Sequence, residues 1–223
     1  MKLVTVNYEV YKFEELDKKI QEKVIQDYFE HTGVHENNVF FEEFANQVLT
    51  EIGFIESKVS YSLGYCQGDG LTFDFSLNHW ELIEFLKNIK NRELTISLKN
   101  LEKELYEIVK NFEIDEKMLI EYDISVYTEK NYYSNWYYHS KTRNIVVGAY
   151  PSPLNNTEDN DEKVVTYLEE LEKVFYEIYL TVCEALESEG YRQIYYMPTV
   201  EEFAELAEVN NWEYLKNGEH FLI

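Results

Sequence analysis

The run VVTYLEELEKVFYEIYLTVCEAL, residues 164–186, decides the fold. Within it Val164, Leu168, Leu171, Phe175, Ile178, Val182 and Ala185 recur in steps of four and three, and Val174, Tyr179 and Leu186 widen the stripe. That spacing gathers them on one side of an α-helix. A coiled-coil seam would be narrower, so the stripe predicts a helix lying across a sheet as the main core element. Its expected span is about Asn160 to Ser188, with Gly190 closing it.

Outward from this helix, the chain alternates strand and helix signals. Pro151 to Asp161 reads as a loop, holding two of the three prolines and a run of Asn, Thr and Asp. Three strands are expected between Leu119 and Tyr150, turning near Asn131 and around Lys141 to Arg143. Earlier, residues 58–76 predict a β-hairpin. Val59, Tyr61, Leu63 and Tyr65 alternate, Gln67-Gly68-Asp69-Gly70 interrupts, and Leu71, Phe73 and Phe75 resume. His79 to Ile89 and Leu98 to Phe112 carry helical spacing. At the start, Val4, Val6, Tyr8 and Val10 predict a strand over residues 3–11. Phe13, Leu16, Ile20, Val24 and Tyr28 then predict a helix running to His31 and Gly33. A second helix is expected from about Asn38 to Gly53. After the long helix, Thr199 is placed to start a short one with Glu201 and Glu202 in its first turn. Trp212 to Ile223 reads as a hairpin turning at Asn217-Gly218. The order of elements predicts one α+β domain over 1–223, a mixed and mostly antiparallel sheet packed on several helices.

Composition bounds the function. Hydrophobic residues make up 45% of the 223 and aromatics 16%, enough for a packed core. No apolar run reaches the roughly 18–20 residues that span a bilayer, and the start alternates apolar with polar residues instead of resembling an export signal. Cys66 and Cys183 stand in no metal-ligand or redox spacing, which predicts reduced thiols in a cytoplasm. The net charge is −23, and from Asn144 onward 17 acidic residues face four basic ones. Such a surface repels nucleic acid and anionic membrane and attracts a basic partner over a Debye length of about 8–10 Å.

Four groups of residues are candidates for chemistry. At Gln67-Gly68-Asp69-Gly70, backbone N–H groups and the Asp69 carboxylate could hold a ligand, or Asp69 could bond its own backbone in a tight turn. Tyr132, Tyr133, Trp136, Tyr137 and Tyr138 form a dense aromatic group; alternation puts Tyr133 and Tyr137 on the face opposite Trp136, where they serve as binding anchors or packing. His31 and His35 have helical i,i+4 spacing, but Gly33 lies between them and no zincin-type Glu accompanies them, so no metal is expected. Cys66 is read as a small strand hydrophobe rather than a nucleophile. No cofactor and no catalytic residue is expected.

Tyr11-Lys12-Phe13-Glu14-Glu15-Leu16 and Tyr61-Ser62-Leu63-Gly64-Tyr65-Cys66-Gln67-Gly68-Asp69-Gly70-Leu71-Thr72-Phe73 resemble a widespread family of phage-encoded accessory proteins of unassigned function. Phe175-Tyr176 through Leu186-Glu187, Pro198-Thr199-Val200-Glu201-Glu202, and Asn211-Trp212-Glu213-Tyr214 before Asn217-Gly218 are similar to that family's closing pattern. The resemblance spares about 82–121, which reads as a helical insertion. It implies a mobile-element origin and no reaction, and some relatives carry an antitoxin-like label. With the charge, it leads to an expected phage protein that inhibits a basic, nucleic-acid-binding host protein of a defence system by occupying its nucleic-acid site. Glu169, Glu170, Glu172, Glu177, Glu201, Glu202 and Glu205 are the candidate carboxylates, with Gln67, Asp69, Tyr133 and Tyr137 beside them. The alternatives are a small-ligand or nucleotide-binding protein or enzyme centred on the Gln67 to Gly70 turn, and an antitoxin.

Overall fold

The computed structural model describes residues 7–132, 137–150 and 160–221. They form an α+β fold of helices and two small antiparallel sheets. The chain divides into two units, Phe41–Tyr191 and the paired segments Met1–Phe40 and Arg192–Ile223. No helix among the described residues is long and apolar enough to cross a membrane.

In the Phe41–Tyr191 unit, β1 (Lys58–Ser62) and β2 (Gly70–Asp74) make the expected hairpin, with Val59 opposite Phe73 and Ser62 opposite Gly70. β2 is buried on both faces up to Asp74, so even its polar Thr72 needs a partner and finds the Tyr179 hydroxyl. The second sheet joins β3 (Ser76–Leu77), β4 (Ser125–Lys130) and β5 (Arg143–Gly148) in that order. Arg143 is buried, and its guanidinium grips the Asp74 carboxylate through Nε at 2.5 Å and Nη2 at 3.3 Å. Helix α3 (His79–Asn91) starts at a reciprocal cap. The Asn78 side chain accepts from the Trp80 and Glu81 N–H groups, and the Glu81 carboxylate accepts from the Asn78 N–H. Helices α4 (Leu101–Val109) and α5 (Glu116–Glu121) follow.

Of the three strands expected between Leu119 and Tyr150, the first is β4, which begins only at Ser125, and the last is β5; no strand begins at Leu119 itself. Asp115 accepts from the Met118 N–H and starts α5 there instead. Tyr132 and residues 137–139 lie in no strand; Tyr133 and Trp136 lie outside the described residues, as do 151–159 of the predicted proline loop.

A chain of aromatic rings runs through the largely aliphatic core of this unit. Phe54, Phe73, Phe75, Phe85, Phe175 and Tyr179 stack in series, with centroids 4.6 Å apart for Phe54 and Phe75 and 5.4 Å for Phe85 and Phe175. Each such pair contributes about 0.5–1.5 kcal/mol beyond simple burial. The long helix α6 (Asn160–Ile194) buries Val164, Leu171, Phe175, Ile178, Val182 and Leu186 as the spacing predicts. It also buries Tyr167 and Cys183, while Leu168 and Ala185 are only half-buried. Gly190 does not close the helix. It sits inside it, where a Cβ would come within 2.4 Å of Leu63 Cδ1 and 2.7 Å of Phe41 Cζ, so the glycine answers a packing demand.

In the other unit, a 3-10 turn (Phe13–Glu15) leads to α1 (Lys18–Tyr28). The break expected at Gly33 does not occur. A π-helical turn over Phe29–Gly33 runs directly into α2 (Val34–Ile52), with Gly33 buried against the Phe29 and Tyr28 rings. Of the first strand expected over residues 3–11, the described residues show one bridge, Tyr11 with Tyr214. Residues 7–10 are exposed and in no strand, and Val4 and Val6 lie outside the described residues. Helix α7 (Val200–Val209) starts at Thr199 as predicted, whose hydroxyl accepts from the Glu202 N–H. The final turn is also as expected, with Gly218 at φ +89° and Tyr214 bridged to His220. Phe13, Leu16, Val24, Ile25, Phe203, Ala207 and Tyr214 form this unit's core.

Candidate functional site

The Gln67 to Gly70 turn turns its chemistry inward. Asp69 Oδ1 accepts from the Ser62 hydroxyl at 2.9 Å. Its Oδ2 accepts from the N–H groups of Cys66 at 2.7 Å and Gly64 at 2.6 Å, and from the Tyr191 hydroxyl at 3.5 Å. These donors, the Cys66 N–H foremost, hold the carboxyl below the usual aspartate range. The turn is braced from outside as well. Gly68 has φ +95°, and the Tyr137 ring occupies the space where a Cβ would stand, 2.3 Å away. At Gly70 a Cβ would meet backbone atoms of Tyr138 and His139 at 2.9 Å, so only glycine permits the approach. Tyr65 stacks on Tyr191 with centroids 4.7 Å apart, while Gln67 and Cys66 are exposed.

Near the turn, Glu187 is half-buried. Burial pushes its carboxyl up, Glu184 and Asp69 add to that, and His139 opposes it. His139 Nδ1 accepts from the Lys141 N–H at 3.2 Å and caps the turn at Ser140–Thr142, which leaves the proton on Nε2 in the neutral ring. Cys66 Sγ is 3.4 Å from the Gly64 carbonyl, and no described histidine is hydrogen-bonded to it. The arrangement braces a loop and presents no nucleophile with a base.

The seven candidate glutamates are all exposed, but they belong to two units. Glu169, Glu170, Glu172 and Glu177 stand on α6 within Phe41–Tyr191. Glu201, Glu202 and Glu205 stand on α7 in the other unit. On α6, helical spacing puts Glu169, Glu170 and Glu177 opposite the buried stripe, with Glu172 towards its edge. Glu162 and Glu184 extend the same face. Neither was singled out from the sequence, although counting seven residues back from Glu169 and seven on from Glu177 finds both. Lys163 and Lys173 also lie on the exposed side of α6, yet no ion pair within 4.0 Å among the described residues involves any of these glutamates. At Glu184 the face borders an open groove of about 1000 Å³, where Lys99 and Lys103 oppose Glu184 and Glu189.

On α7, Glu202 is already committed. Its carboxylate accepts from the Tyr196 hydroxyl at 2.5 Å and the Thr199 N–H at 2.8 Å, and these bonds hold it below the usual range. Glu201 and Glu205 are exposed without such partners. Of the predicted aromatic anchors, Tyr133 lies outside the described residues and Tyr137 is exposed while resting on Gly68. Among the described residues no group of three or more His, Cys, Asp or Glu is arranged to hold a metal ion. No protein-family model, curated protein or solved structure matches the chain.

Proposed function

We propose that this chain is a phage-encoded acidic binding protein that inhibits a basic, nucleic-acid-binding host protein by occupying its nucleic-acid site. The observation that carries the reading is the outer face of α6, where Glu162, Glu169, Glu170, Glu177 and Glu184 stand exposed with no ion-paired cation among the described residues. Carboxylates on a helix start from backbone positions fixed before binding, so little backbone entropy is lost when a cationic channel closes over them. Such a row competes with phosphates for the same lysines and arginines and displaces the same counterions. The inward-turned Asp69 supports a binding role over a reaction at the turn, because its lone pairs are engaged by the loop itself.

The test uses the full chain as bait in a bacterial lysate, beside a Glu169→Gln, Glu170→Gln, Glu177→Gln triple variant. The expected result is capture of a nucleic-acid-binding protein at low salt, its release by added DNA or RNA, and its loss from the variant. Capture by the variant equal to that by the parent chain, or a partner that added nucleic acid does not release, contradicts the proposal.

A further inference from the structure

The unit of Met1–Phe40 and Arg192–Ile223 carries a groove of about 340 Å³ at its surface. Its walls come from the apolar core: Phe203 and Tyr214 are buried, Tyr28 and Trp212 half-buried. The rings are mutually braced, with centroids 5.6 Å apart for Tyr28 and Trp212, 5.9 Å for Phe203 and Trp212, and 5.6 Å for Trp212 and His220. The closing turn is seated on α1, since Gly218 lies where a Cβ would touch Ile20 and Val24 at 2.9 Å. Three exposed carboxylates edge the groove: Asp27, Glu36 and Glu219. Glu36 accepts from the Tyr28 hydroxyl at 2.5 Å, which fixes that ring and leaves the carboxylate's other lone pairs available. No lysine or arginine lines the groove, and none of the three carboxylates is in an ion pair among the described residues.

Aromatic rings and carboxylates without an ion pair among the described residues, lining one concavity, favour a cation with a flat, weakly hydrated surface. An anion would meet three like charges. A wholly apolar ligand would strip water from the carboxylates without replacing it. A guanidinium suits both elements, stacking on a ring while its N–H fork reaches a carboxylate, whereas an ammonium loses more hydration and cannot stack. The volume is at the lower end of the roughly 300–1,000 Å³ of ligand cavities, a size for one side chain rather than a large cofactor. We propose that this groove receives an arginine side chain of a basic polypeptide. The inference rests on the reading of a basic partner given above, but on a different surface from α6.

The probe is a blocked pentapeptide, Lys-Gly-Arg-Gly-Lys, titrated into the isotopically labelled full chain while the Trp212 indole N–H signal, assigned with Trp212→Phe, is followed. The same peptide with neutral citrulline for arginine, and N-acetylarginine amide alone, are the comparison ligands. The expected result is a saturable Trp212 shift with the arginine peptide, and binding at least about tenfold weaker for the citrulline peptide and for the single-residue amide. An Asp27→Asn, Glu219→Gln double variant, folded by its spectrum, should weaken the arginine peptide about tenfold. Equal binding of the citrulline peptide, an unmoved Trp212 signal, or an unaffected double variant overturns the assignment. Equal binding of the amide overturns the polypeptide in favour of a small cation. The α6 triple variant should bind the peptide like the parent chain. Failure here with loss of lysate capture by that variant removes the groove alone; success here with unchanged capture removes the α6 reading alone.

Discussion

Asp69 and Glu187 lie in one unit and respond to pH in opposite senses. Asp69 is held low by donors that exist only in the folded loop. Its stabilising contribution is therefore full above the ordinary aspartate value and is lost as pH falls through the depressed folded one. Asp69→Asn removes an acceptor from the solvent-exposed Cys66 and Gly64 N–H groups and should cost about 0.5–1.5 kcal/mol, read as a lower urea midpoint at neutral pH that converges on the parent's in acid. An unchanged midpoint would mean that the loop does not need the carboxylate. Glu187 is raised by burial, so the native state holds its proton more tightly than the unfolded chain. That stability is present below the ordinary glutamate value and is lost as pH rises to the folded one. Glu187→Gln should accordingly raise the midpoint at neutral pH and leave it unchanged in acid.

At the level of elements, periodicity was a good guide where burial decided the outcome. The α6 stripe, the β1–β2 hairpin and the Thr199 start were legible because each rests on local chemistry: a 3.6-residue repeat, alternation, or a cap. The misses differ in cause. Gly33 and Gly190 read as stops but lie inside helices, Gly33 against the Tyr28 and Phe29 rings of the preceding turn and Gly190 against Leu63 and Phe41, which are distant in sequence and which spacing alone does not place. Gly190→Ala separates the two readings. Helix propensity alone favours alanine by up to about 1 kcal/mol, whereas overpacking against buried Leu63 and Phe41 costs about 1–3 kcal/mol. Thermal unfolding of the variant should shift downward; an upward shift would show room at the contact. The acidic face was partly legible, since four α6 glutamates could be named from spacing and charge. Glu202 could not be told from them, although the Thr199-to-Glu202 spacing carries the capping signal that explains it. The Asp27, Glu36 and Glu219 groove was not legible, because its residues come from three separate segments.

For the whole molecule, a charge of −23 sets long-range behaviour whatever the local geometry. Within that field, we propose, the exposed glutamates of α6 supply the attraction for a cationic partner. It is tested most directly by the salt dependence of affinity for the captured partner, measured for the parent chain and the Glu169→Gln, Glu170→Gln, Glu177→Gln variant. The expected result is a steep loss of affinity with rising salt for the parent chain, and for the variant a weaker affinity with a shallower dependence. Equal slopes and equal affinities at low salt would contradict it.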